Sequence, residues 1–88
     1  MEISWDEVKN DKLKTERGIS FEEIAQELVA GRVLDIVPHP SRPMQKIFVV
    51  KIRDLFVMVP FVAESDRVFL KTAYVSRKAR KKFGGTND

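Results

Sequence analysis

The sequence predicts an α+β fold, with its helices grouped ahead of its strands rather than alternating with them. Three observations predict it. Two S-x-x-E capping boxes stand at Ser4–Glu7 and Ser20–Glu23. Residues 45–75 then hold three apolar runs divided by turn residues. A stretch dense in Lys and Arg, Ser76–Phe83, follows the last run and reads as a short basic helix or an extended tail.

The first helix is expected from about Trp5 to Arg17, with Ile3 and Val8 as a hydrophobic staple and Gly18 as its end. The second opens at Ser20, with Ile19 and Ile24 as its staple. It carries Phe21, Ile24, Ala25 and Leu28 on one face and stops at Gly31. Trp5, beside a cap, reads as core rather than as a platform for a base. Glu22, Glu23 and Glu27 read as cap and solvated face.

Val33–Val37 suggests a short strand. His39–Pro43 (HPSRP) is a rigid loop, because each proline also restricts the residue before it. Three strands are expected at Gln45–Arg53, Leu55–Val62 and Arg67–Val75. Lys46, Phe48, Val50 and Ile52 share one face of the first. Leu55–Val62 is apolar on both faces and belongs at the centre of the sheet. Pro60 has no N–H to give, so a bulge or an end of pairing is expected there. Glu64–Asp66 is a turn. The predicted architecture is two N-terminal helices on one face of a small antiparallel sheet, the other face left for a ligand or partner.

The chain has 88 residues, enough for one domain with a modest core. That domain is expected over residues 1–83, with a flexible tail at 84–88. There is no cysteine, so disulfides and thiolate metal sites are excluded. The first residues have no basic and apolar pattern of a secretory signal, and the longest apolar run, Leu55–Ala63, is too short to span a bilayer. A cytoplasmic protein without a membrane role is the expectation. Charge is divided unevenly: residues 1–37 hold nine acids and five bases, and residues 38–88 hold four acids and eleven bases. A basic surface of that kind suits phosphates or an acidic protein.

Trp5-Asp-Glu-Val-Lys-Asn10, Arg17-Gly-Ile-Ser-Phe-Glu-Glu23 and Val75-Ser-Arg-Lys-Ala79 together resemble the BrnT-type toxins of bacterial toxin–antitoxin pairs. The resemblance spans roughly residues 2–83. Arg17 stands where many members have histidine, and the loop from His39 to Lys46 differs from that of the best-known members. The resemblance implies a RelE-like fold and an endoribonuclease that cleaves mRNA, on or off the ribosome, and so arrests translation. It also implies a ribbon-helix-helix antitoxin that neutralises the toxin and through which the pair reaches operator DNA.

Cleaving RNA through its own 2′-hydroxyl requires a proton acceptor, a proton donor and cations to offset charge on phosphorus. His39 is the single histidine, so a paired-histidine mechanism is excluded within one chain. Arg77 and Lys78, at the start of the basic helix, are placed for phosphate, which would offset their unfavourable position against the helix dipole. Lys71 shares a strand face with Phe69, Ala73 and Val75. It reads either as a phosphate contact or base, or as an edge lysine that blocks aggregation. Tyr74, grouped with Val68, Leu70 and Thr72, reads either as a core tyrosine or as a stacking or proton-donating group.

His39 is held between two prolines and is a candidate acid–base group or a plain loop residue. Arg42 and Lys46 flank the same loop, and with Arg80 and Lys81 they are candidates for phosphate contact. No metal-ligand spacing and no Gly-rich phosphate loop is present, so no cofactor is expected. The rival reading is a non-catalytic module that uses the same basic surface to hold an antitoxin or nucleic acid.

Overall fold

A computed structural model describes residues 1–84 and shows an α+β fold of three helices and a mixed six-stranded sheet among them. The elements run β1 (Glu2–Trp5), α1 (Glu7–Arg17), α2 (Phe21–Val29), β2 (Asp35–Pro38), β3 (Lys46–Ile52), β4 (Leu55–Glu64), β5 (Arg67–Leu70), β6 (Tyr74–Val75) and α3 (Arg77–Phe83). The sheet order is β1-β5-β4-β3-β2, with β6 also on β4, so the doubly apolar β4 is central as its sequence required. The expected flexible tail at 84–88 falls, beyond Gly84, outside the described residues.

The second capping box is present: Ser20 Oγ accepts from Glu23 N, and the Glu23 carboxylate accepts from Ser20 N. The first is not. Ser4 lies in β1, and Asp6 caps α1 instead, its Oδ1 accepting from Val8 N at 2.8 Å. The expected staple fails with it, since Val8 is 77% exposed. Ile3 and Trp5 alternate toward the core from β1, and Trp5 stacks on Phe21 with ring centroids 5.8 Å apart. The sheet is therefore mixed rather than purely antiparallel, because β1 pairs in parallel with β5. Gly18 ends α1 at φ 67°, a conformation that costs glycine little. The weak strand expected at Val33–Val37 forms two residues later, as β2.

One face of the sheet carries the main core. Phe48, Val50, Val57, Val59, Phe61, Val68 and Leu70 meet Leu13, Phe21, Ile24 and Leu28 from the two N-terminal helices. The opposite face is not wholly open: Ala79 and Phe83 of α3 pack there with Val49, Phe56 and Met58. Ala79 and Phe83 are one helical turn apart, so α3 docks by a two-residue stripe and turns its cations outward.

The strand expected at Arg67–Val75 is broken. Leu70 pairs with Phe61, but Tyr74 pairs with Met58, so three residues, 71–73, face two on β4. This is a bulged break, and it falls opposite Pro60. Lys71 N donates to Pro60 O at 2.8 Å. A strand residue's C=O and N–H project to the same edge, so the proline's missing donor faces this gap, and the ladder cannot continue through it. The extra residue reverses the alternation. Ala73, not Tyr74, takes the core position at 3% exposure, and Tyr74 moves opposite Met58 on the α3 face, 38% exposed.

Candidate nucleic-acid interface

The α3 helix is short but strongly cationic. Arg77, Lys78, Arg80, Lys81 and Lys82 are all exposed, while Ala79 and Phe83 hold the helix to the sheet. Ser76 caps it, with Oγ accepting from Ala79 N at 3.1 Å. That bond uses one of the free N-terminal donors, and a seven-residue helix has a weak dipole. Anion attraction at Arg77 and Lys78 therefore rests mainly on their side chains. None of the five α3 cations forms an ion pair among the described residues.

Beside α3, the same sheet face carries further cations over aromatic rings. Lys51 Nζ lies 5.6 Å from the Phe56 ring centroid, and Lys71 Nζ lies 5.5 Å from that of Phe69. Phe69 is 39% exposed. The loss of the strand at Lys71 corrects its expected local structure, but its ammonium still lies over a residue of the α3 face. Phe56 is buried beneath α3, so of these two rings Phe69 is the one left open to a base. A cation beside an exposed ring suits single-stranded nucleic acid, whose phosphates and bases take each in turn.

The predicted set does not gather at one point. Ser76 N donates to Phe56 O, and Lys71 N donates to Pro60 O, so their backbones are separated by four residues of β4. At about 3.3 Å per residue this is about 13 Å, a gap that long side chains can narrow but that leaves no compact triad. Lys46 pairs with Phe61, five residues from Phe56, or about 17 Å along the strand. Lys46 also lies on the helix-bearing face, with Phe61.

His39 and Arg42 occupy the loop before Lys46, so these three form a separate group from Lys71, Tyr74, Arg77, Lys78, Arg80 and Lys81. His39 Nδ1 accepts from Ser41 N and Arg42 N, both at 3.1 Å. Its lone pair there is occupied in shaping the loop, and the ring proton is left on Nε2. A base at Nε2 would need that proton moved to Nδ1, against two N–H donors.

Reading by sequence passed over Lys51 and Phe69 as site residues. Both were accessible by strand alternation: Lys51 falls on the face opposite Lys46, and Phe69 falls beside Lys71. It also passed over α1. Lys9, Lys12 and Arg17 border a cleft of about 340 Å³ whose other wall is Thr72–Tyr74. Their helical spacing was visible, but the bulge that opens the facing wall was not.

No group of three or more His, Asp or Glu among the described residues is arranged to hold a metal. No helix among them is long and apolar enough to cross a membrane. Set against protein-family models, curated proteins and solved structures, the chain matches none of them.

Proposed function

We propose that this chain is a toxin of BrnT type, a RelE-like endoribonuclease that binds single-stranded mRNA on the α3 face of its sheet and inhibits translation. The observation that carries the reading is the row of unpaired cations on α3 beside Lys71, Phe69 and the overturned Tyr74. In the proposed reaction the 2′-oxygen attacks the adjacent phosphorus and the bond to the 5′-oxygen breaks. The products are a 2′,3′-cyclic phosphate and a 5′-hydroxyl. Arg77 and Lys78 offset charge on phosphorus, and Lys71 and Tyr74 handle the two protons. A small ribbon-helix-helix antitoxin is the expected partner, covering this basic face.

The wide spacing of the set and the occupied Nδ1 of His39 favour a second reading, in which the same face holds RNA or an antitoxin without cleaving. Expression in a bacterial host and in a cell-free translation lysate tests the toxin reading. Arrest of growth and translation, lifted by Arg77→Ala with Lys78→Ala in a protein that still folds, is the expected result. A wild-type chain that leaves both unaffected contradicts it.

A further inference from the structure

The cleft between α1 and the bulged segment gathers cations apart from those of α3. Lys9, Lys12 and Arg17 recur at helical spacing and line one wall, and none pairs with a carboxylate within 4.0 Å among the described residues. Glu16 also lines the cleft, leaving a surplus of two positive charges. Lys9 Nζ is held by Lys71 O at 3.0 Å and keeps two further donors.

On the opposite wall, the break at Pro60 leaves the main-chain N–H groups of Thr72 and Ala73 without an acceptor among the described residues. Ala73 is buried, and a buried N–H calls for a partner. The volume, about 340 Å³, falls within the range of small-ligand sites, about 300–1,000 Å³.

We propose that this cleft binds the phosphate group of a ribonucleotide, between the Lys12 and Arg17 side chains and the amides of Thr72 and Ala73. The choice of a ribonucleotide rests on the RNA reading above; the choice of phosphate rests on the cations and the two amides. Free nucleotide and RNA share this group, and they are separated by the probes.

The test is amide NMR of the full chain, titrated first with uridine 5′-monophosphate and then with a single-stranded uridine oligonucleotide. Saturable shifts at Thr72 and Ala73 are expected. Lys12→Glu with Arg17→Glu should raise the Kd at least about tenfold, while Arg42→Glu with Lys46→Glu, at the far end of the sheet, leaves mononucleotide binding unchanged. Shifts with the oligonucleotide alone support the cleft and assign it to RNA phosphodiester. Shifts with the mononucleotide, but no oligonucleotide binding at α3, support the cleft and overturn the RNA reading. No saturable shift at Thr72 and Ala73 with either probe overturns the cleft, whatever α3 does.

Discussion

The ammonium of Lys9 donates to the main-chain oxygen of Lys71 at 3.0 Å, tying the first helix to the broken stretch of the sheet. It is the one hydrogen bond seen from α1 to residues 71–73, and it spans a stretch with no ladder of its own. Lys9→Met keeps the stem and removes the donor. Faster exchange of the Lys71 amide, which donates to Pro60 O, is expected, with a global cost up to about 1 kcal/mol, or about 4–8 °C in Tm. Unchanged exchange there would show that the bond does not hold the segment.

Asn10 should matter far more. It is fully buried, with Oδ1 accepting from Phe21 N and Nδ2 donating to Glu22 Oε1, both at 2.8 Å. Asn10→Ala strands a buried N–H at the start of α2. A loss of about 1–3 kcal/mol is expected in denaturant unfolding. A loss below a few tenths of that would mean the two helices are joined by packing alone.

The same contact sets a pH dependence. The hydrogen bond from Asn10 holds the Glu22 carboxyl below its ordinary value of 4.5, and the one from Arg32 does the same for Glu27. A carboxyl whose folded value is lowered contributes stability above its unfolded value, and that contribution fades as pH falls through the folded one. Tm of the wild type should therefore drop between about pH 5 and about pH 3. Asn10→Ala should show a shallower drop, and an equal slope would remove Glu22 from the account.

Charge reversal separates the two basic groups. Arg80→Glu with Lys81→Glu should weaken single-stranded RNA binding and lower the log–log salt slope by about 1.4, roughly 0.7 for each phosphate no longer neutralised. Arg42→Glu with Lys46→Glu should change the slope little, because that loop lies at the far end of the sheet and Lys46 is on the other face. A larger effect from the loop pair would move the interface there.

Much of this fold was legible because its signals are local. Ser20, Glu23, Gly18 and the doubly apolar β4 each dictate structure through their nearest neighbours. The failures involve competition or register. Ser4–Glu7 has the pattern of a capping box, but Ile3 and Trp5 pack against the core by pairing as β1 on β5, and Asp6 is available to cap. Pro60 announced a break, yet only the pairing on both sides of it shows that three residues face two. That single extra residue decides which face Tyr74 takes. The candidate site was legible in composition, in the cations of α3 and at Lys71. Its layout, and its separation from His39, depend on pairing across β4.

The most direct measurement is cleavage of single-stranded RNA, free and ribosome-bound, in the presence of a metal chelator. Expected are products ending in a 2′,3′-cyclic phosphate, no cleavage of DNA, and activity lowered by at least about a hundredfold in Arg77→Ala with Lys78→Ala. Absence of cleavage on both substrates by the folded wild type would contradict the ribonuclease claim. Full activity in that double variant would contradict the placement of the site on α3.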